Sequence, residues 1–167
     1  MRGLIRSRTN SPPSIIKKIK ISFANKTISL TDPGGAAAYG SVPLFDLPKG
    51  NIVIFGALMY LKLTSVAAAV SATFDGDFSV GRLASTDATF SGNEVEIIQL
   101  TTFPAPAASK ATSNMRAITA QSNSGKTIPN TDGTLKAQLN VLLDDSSISA
   151  SADLTASGDF YLCYGVF

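Results

Sequence analysis

The sequence contains no histidine, no tryptophan and one cysteine among its 167 residues. Without histidine, the chain cannot use a mechanism that needs imidazole as a base or as a metal ligand. The single cysteine, Cys163, cannot form an intramolecular disulfide framework or a cysteine-rich zinc site. These absences exclude most classes of enzyme, and we predict a protein that has no catalytic activity and no cofactor.

Charged residues are also few, at 16% of the chain, while hydrophobic residues make up 44%. This balance excludes wholesale disorder, and the length is that of one domain. The longest uncharged apolar run, residues 52–61, is about half as long as a membrane-spanning helix. The basic N-terminus lacks the apolar stretch of a signal peptide. We therefore predict a soluble protein that is made in a reducing cytoplasm and does not enter a membrane.

Positive charge is concentrated at the N-terminus. Residues 1–31 contain seven Lys and Arg residues and no acid, whereas residues 32–167 contain the other seven and all 12 acids. Residues 1–18 are predicted to form an extended arm that binds a negatively charged partner. The residues assigned to this contact are Arg2, Arg6, Arg8, Lys17, Lys18 and Lys20.

The partner of the arm is either an acidic protein surface or nucleic acid, and a purely solvated terminus is the alternative interpretation. The arm has no aromatic residues between its charges. Stacking on bases needs such residues, so the sequence disfavours nucleic acid. Prolines 12 and 13 favour an extended backbone in this segment.

Beyond the arm the hydrophobic pattern has a period of two, which is typical of half-buried β-strands. Ile19, Ile21 and Phe23 alternate with polar residues, and a turn is predicted at Asn25. Residues 52–63 are apolar at nearly every position, so we predict a central strand there. Gly56 in its middle is predicted to mark either a β-bulge or a close approach of two backbones.

Further strands are predicted at residues 70–74, 78–83, 95–100, 116–120, 135–141, 148–154 and 160–166. Short strands with turn residues between them are typical of an antiparallel sandwich or barrel. The predicted fold class is therefore all-β: an antiparallel, jelly-roll-like β-sandwich formed by residues 19–167 as a single domain, preceded by the extended basic arm.

Few residues are candidates for site chemistry. Asp75 and Asp77 flank a glycine and could hold a calcium ion, although a tight turn explains the same pattern better. Glu94 and Glu96 are predicted to lie on one face of a strand, which does not favour hydrolysis. Cys163 is predicted to be a buried, inert thiol that faces away from its neighbours in the last strand.

Several segments together resemble a known family. They are VPLFDLPKG at 42–50, VSATFDGDFSVG at 70–81, ATFSGNEVEII at 88–98 and LNVLLDD at 139–145. In their order and spacing they resemble small virion head proteins of tailed bacteriophages, especially those of marine and cyanobacterial viruses. Such proteins are known as capsid decoration or cement proteins. The resemblance covers residues 40–167 and does not include the arm.

The resemblance implies a non-enzymatic structural role in the virion. It implies a homotrimer on the outer surface of the phage head that binds several copies of the major capsid protein and stabilises their contacts. Part of the apolar surface of residues 52–61 and 160–167 is expected at the trimer interface. The alternatives are a receptor- or glycan-binding module of a head fibre or tail tip, and a minor head protein whose arm touches DNA.

Overall fold

A computed structural model describes residues 15–65, 67–103, 112–119 and 125–167, with the backbone alone for Ile15 and residues 112–119. These ranges contain nine β-strands and two short 3-10 helices. The strands are β1 (Ile15–Leu30), β2 (Ala38–Asp46), β3 (Gly50–Thr64), β4 (Gly76–Gly81), β5 (Ile98–Phe103), β6 (Thr112–Thr119), β7 (Thr127–Asn130), β8 (Lys136–Leu143) and β9 (Ala152–Val166). The 3-10 helices span Gly92–Glu94 and Asp145–Ser147. Within the same ranges, no helix has the length and apolar character needed to cross a membrane.

The strands form two antiparallel sheets. The first sheet has the order β1-β9-β3-β6, with β7 also paired to β3, and the second has the order β2-β8-β4-β5. The chain passes from one sheet to the other at most connections, so strands that are consecutive in sequence usually lie in opposite layers. This is the double Greek-key arrangement of a jelly roll. The predicted antiparallel, jelly-roll-like sandwich is confirmed.

The core lies between the two sheets because each strand turns alternate side chains inward. In β9 the inward residues Leu154, Phe160 and Leu162 are almost completely buried. At one end of the sandwich, Phe74 and Phe103 pack edge to face, with ring centroids 6.2 Å apart. These buried aromatic and aliphatic side chains supply the main force that holds the layers together.

The prediction for residues 52–63 is confirmed. They lie within β3, which pairs with β9 on one side and with β6 and β7 on the other. Of the two interpretations of Gly56, the bulge is confirmed, because the register of β3 against β9 shifts between Ile54 and Gly56. The close approach of two backbones is wrong, since a Cβ atom at Gly56 would meet no heavy atom within 4 Å. The strand predicted at residues 116–120 corresponds to β6 as far as Thr119.

Other local predictions were wrong. Asn25, with φ at 53°, lies in a bulge inside β1 instead of a turn, because β1 continues along β9 on both sides of it. Residues 70–74 are not a strand: only Val70 makes an isolated bridge, to Ile148. The two C-terminal strands predicted at 148–154 and 160–166 are one strand, β9, which starts at Ala152.

The first strand starts at Ile15, not at Ile19. Residues 15–18 were assigned to the arm, yet they pair with the last residues of β9, from Val166 to Cys163. Backbone hydrogen bonds to β9 draw these residues into the sheet even though two of them are lysines. Residues 1–14, the rest of the predicted arm, lie outside the described residues.

At Gly158 on β9, the backbone of β3 leaves no room for a side chain. The φ of Gly158 is +157°, and a Cβ atom there would collide with the carbonyl oxygen of Tyr60 on β3. We expect Gly158→Ala to lower the free energy of unfolding by about 3 kcal/mol, because both backbone strain and a steric clash are introduced. Urea unfolding followed by circular dichroism measures the change.

Gly56 on the neighbouring strand is the matched control. A Cβ atom at Gly56 would meet no heavy atom within 4 Å. Gly56→Ala is expected to change the free energy of unfolding by less than about 0.5 kcal/mol. Equal effects of the two substitutions would contradict the proposed close approach at Gly158.

Candidate functional site

The outer face of the first sheet carries aromatic side chains beside charged ones. It is formed by alternate residues of β1, β9 and β3. Lys18 is paired with Cys163, which is paired in turn with Gly56. Tyr161 lies two residues before Cys163 on β9, on the same face, and pairs with Lys20 on one side and Leu58 on the other. We call this surface the tyrosine face; it consists of Lys18, Lys20, Ser22, Gly56, Leu58, Tyr60, Asp159, Tyr161 and Cys163.

Two tyrosines lie at its centre. The rings of Tyr60 and Tyr161 meet edge to face, with centroids 6.1 Å apart and an interplanar angle of 75°. The ammonium group of Lys20 lies 5.5 Å from the centroid of the Tyr161 ring, within cation–π range. Both rings remain partly exposed. The face therefore combines aromatic surface with a fixed positive charge.

Asp159 provides the negative charge of the face. Its carboxylate accepts a hydrogen bond of 2.6 Å from the Ser22 hydroxyl, and Lys20 Nζ lies 3.1 Å from the other oxygen. Both hydrogen bonds hold the pKa of Asp159 below its ordinary value, and the one from Ser22 has the larger effect. The pKa of Lys20 is raised above its ordinary value, mainly by the hydrogen bond to Asp159 and to a lesser extent by that to Tyr161. Both groups are therefore charged at neutral pH.

A shallow depression of about 290 Å³ lies beside the tyrosines. It exists because the bulge in β3 places Gly56 on this face, where a side chain would otherwise fill the space. Its lining is largely apolar and includes Leu58, Tyr161 and Cys163, with Lys18 beside them. The depression can accept a small apolar side chain next to a positive charge.

The apolar surface continues towards the C-terminal end of β9. Ile16, paired with Gly165, is 58% exposed, and Phe167 is 60% exposed. A Cβ atom at Gly165 would lie 3.0 Å from the Phe167 ring and 3.2 Å from the Phe55 ring, so both rings lie over this glycine. Contiguous exposed apolar surface of this kind marks an interaction site more often than isolated apolar residues do.

The outer face of the second sheet is different because a loop covers part of it. Asn140 on β8 is completely buried, and its amide donates hydrogen bonds to the carbonyl oxygens of Leu83 and Glu94 at 3.1 and 3.0 Å. Its amide oxygen accepts a hydrogen bond of 2.6 Å from the Ser41 hydroxyl. One side chain thus holds residues 83–94 against this sheet, whereas the tyrosine face keeps its side chains partly exposed.

The predicted arm residues divide into two groups. Lys17, Lys18 and Lys20 lie on β1, and the last two belong to the tyrosine face. Arg2, Arg6 and Arg8 lie outside the described residues. Sequence reasoning assigned no role to Tyr60, Asp159 or Tyr161. The sequence feature that could have pointed to them is the excess of apolar residues in segments 52–61 and 160–167, which is more than the core of a small sandwich needs.

The acidic candidates occupy structural positions. Asp75 accepts a hydrogen bond of 2.7 Å from Ser147, and Asp77 accepts one of 2.6 Å from Thr102. In the described part of the chain, no three His, Cys, Asp or Glu residues are grouped so that they could hold a metal ion. Asp75 and Asp77 therefore act as hydrogen-bond acceptors that connect the second 3-10 helix and β5 to the start of β4.

Glu94 and Glu96 do not lie on one strand, contrary to the prediction. Glu94 ends a 3-10 helix and accepts a hydrogen bond of 2.9 Å from the backbone of Ser91. Glu96 is buried, with Arg82 Nε at 3.3 Å and Lys126 Nζ at 2.9 Å. This ionic cluster explains why a charged residue can be buried here. Cys163 is only partly buried, since it faces the depression and not the core.

Comparison with known proteins finds similarity in structure only. No protein-family model matches the chain, and no curated protein matches it in sequence. Among solved structures, four chains match. One is from a structure of the infectious bursal disease virus Gx strain, with a TM-score of 0.40 and 12% identity over 89% of this chain. Another is from the VP2 subviral particle of infectious bursal disease virus, with a TM-score of 0.37 and 11% identity over 89% of this chain.

This chain spans about one third of each of those two chains, 33% and 32%. Both neighbours come from structures of infectious bursal disease virus or of its VP2 subviral particle. The assignment of the jelly-roll fold rests on the strand order of the two sheets.

The hydrogen bond from Ser22 can be tested through the titration of Asp159. In Ser22→Ala, we expect the pKa of Asp159 to rise towards 3.8, because its strongest hydrogen bond is removed while Lys20 remains. A lowered folded-state pKa stabilises the fold above the unfolded-state pKa, and this contribution is lost as the pH falls through the folded-state pKa. The free energy of unfolding of the variant should therefore be lower than that of the wild type at neutral pH and equal to it in strong acid.

An NMR titration of the Asp159 carboxyl carbon measures this pKa. Ser29→Ala is the control, since Ser29 lies on the same strand, is exposed and pairs with a different aspartate, Asp153. It should leave the titration of Asp159 unchanged. An unchanged titration in Ser22→Ala would mean that Lys20 alone sets the pKa.

Proposed function

We propose that the protein is a non-enzymatic structural component of a virion, and specifically a capsid decoration protein. In this proposal it binds the outer face of a tailed-phage head as a homotrimer and stabilises contacts between major capsid subunits. The observation that carries the proposal is the tyrosine face: a partly exposed aromatic and apolar surface on a sandwich whose core is otherwise complete. The jelly-roll fold and the resemblance of residues 40–167 to decoration proteins agree with it.

The composition of the face is that of a protein interface. Protein interfaces are enriched in tyrosine and have an apolar centre within a polar rim. Here Tyr60, Tyr161 and Leu58 form the apolar centre, while Lys18 on the edge strand β1 lies towards the rim. Burying such apolar surface against a partner contributes about 25 cal/mol for each Å² removed from water.

The basic arm supplies a second contact in this proposal. Arg2, Arg6 and Arg8 precede β1 in the sequence and add three positive charges to those of Lys17 and Lys18. Acidic surface on the major capsid protein would attract them and speed association. A homotrimer carries three such arms, so weak individual contacts combine into firm attachment.

A receptor- or glycan-binding module is the second candidate. It is favoured by one observation, the partly exposed Tyr161 ring beside the hydroxyl of Ser22 and the carboxylate of Asp159. Binding sites for small polar ligands combine apolar surface with a few polar groups that fix the orientation of the ligand. A protein with this role would be present in few copies at a vertex or a tail tip.

The number of copies in the virion separates the two candidates. For purified source virions, quantitative mass spectrometry against the major capsid protein should give a number comparable to that of the capsid protein, because a decoration trimer is repeated over the whole shell. A small fraction of that number would favour the receptor-binding module. Complete absence from virions would overturn both proposals.

The arm can be tested by deleting residues 1–14, which leaves β1 intact. The deletion should leave the thermal midpoint of unfolding nearly unchanged but lower occupancy on capsids that lack the protein, because the charges of Arg2, Arg6 and Arg8 are lost. A full-length variant with glutamine at these three positions controls for length and should show the same loss. Equal occupancy by wild type and both variants would contradict a role for the arm.

A further inference from the structure

We propose that the tyrosine face of one copy binds the β5 edge of the second sheet of another copy, around Leu100 and Asp77. The contact is heterologous, since different surfaces of the two copies meet. This inference rests on the proposed function, because it identifies the surfaces through which the decoration trimer would form. It assigns the depression at Gly56 as the place where the neighbouring copy inserts an apolar side chain.

The charge of the tyrosine face disfavours a symmetrical pairing of two such faces. Lys18 and Lys20 are exposed on it, and Lys62 extends it, since this lysine lies between the buried Leu61 and Leu63 on β3. Asp159 is the acid of the face and is already paired with Lys20. Two copies that met face to face would bring their lysines together, and like charges across an interface destabilise it. The favoured partner surface is therefore acidic.

The second sheet offers such a surface at its β4–β5 side. Asp77 on β4 is partly exposed, and Asp75 and Asp144 lie close to it. Partial burial, and then the negative charges of Asp75 and Asp77, raise the pKa of Asp144. The carboxylates therefore repel each other in the isolated chain, and cations from a second copy would relieve that repulsion.

An exposed leucine lies beside these acids. Leu100 on β5 is 45% exposed, and Thr102, two residues further along the same strand, donates a hydrogen bond to Asp77. This apolar side chain next to a carboxylate complements an apolar depression next to the ammonium group of Lys18. The two surfaces match in both hydrophobicity and charge.

A heterologous contact has a consequence for assembly. Because each copy offers one of each surface, the contact repeats from copy to copy, and it closes into a ring when the rotation between copies permits. Closure after three copies gives a homotrimer. The same contact accounts for the partly exposed apolar residues of β3 and β9 on the outer face of the first sheet.

Site-directed cross-linking of the full-length protein tests the contact. Cys163 is the only cysteine of the chain and lines the depression. In Leu100→Cys, a short bismaleimide should join residue 100 of one copy to Cys163 of the next, and peptide mass spectrometry would identify the linked pair. Covalent species larger than dimers should form, because every copy carries both partners of the contact.

Three further samples make the result specific. The wild type should give no covalent dimer, because two Cys163 residues do not meet. Thr134→Cys introduces an exposed cysteine in the loop before β8 and should give no link to Cys163. Adding Gly56→Phe to Leu100→Cys should reduce the linked fraction about tenfold, because the new ring fills the depression without disturbing the fold, as circular dichroism would verify.

Cys163–Cys163 dimers of the wild type would overturn the proposal in favour of a symmetrical contact. Absence of any link in a folded Leu100→Cys protein would also overturn it, since the face would then bind the protein's own arm or a capsid subunit. Either result leaves the decoration role standing if the copy number in virions is high. A low copy number together with the expected cross-link would overturn the decoration role but would support the contact between the tyrosine face and the β5 edge.

Discussion

The double pairing of β9 is the interaction on which the rest of the structure depends. This strand pairs with β1 on one side and β3 on the other over almost its entire length. Its inward side chains, such as Phe160 and Leu162, form part of the core, while its outward side chains, Asp159, Tyr161 and Cys163, lie at the middle of the tyrosine face. Because successive residues of a strand point to opposite faces, one register determines both the core and the candidate binding surface.

The two outer faces of the sandwich are used in different ways. On the second sheet, the buried amide of Asn140 holds residues 83–94 in place, and its hydrogen-bonding groups are occupied within the chain. On the first sheet, Tyr60 and Tyr161 remain partly exposed. Exposed apolar surface opposes solubility unless a partner covers it. The first sheet therefore has the outer face that is more open to contact with a partner.

Much of the fold could be predicted because strand periodicity is a local property. The alternation of Ile19, Ile21 and Phe23 was enough to place a strand, and the continuous apolar run around Gly56 was enough to place a central strand. Elements with long-range causes were missed. Nothing near Asn25 in the sequence shows that β1 continues through it, because the continuation depends on pairing with residues 156–158 of β9. The burial of Glu96 depends in the same way on Arg82 and on the distant Lys126.

The sequence by itself determined the fold class, the lack of imidazole chemistry and the basic charge of the N-terminus, since these follow from composition and local periodicity. Only the tertiary structure decided which apolar residues are core and which are surface. Leu58 and Met59 look equivalent in the sequence, yet Met59 is completely buried and Leu58 lines the depression. The physical reason is that the bulge at Gly56 and the pairing with β9 set which side of β3 faces the second sheet, and both depend on residues about 100 positions away.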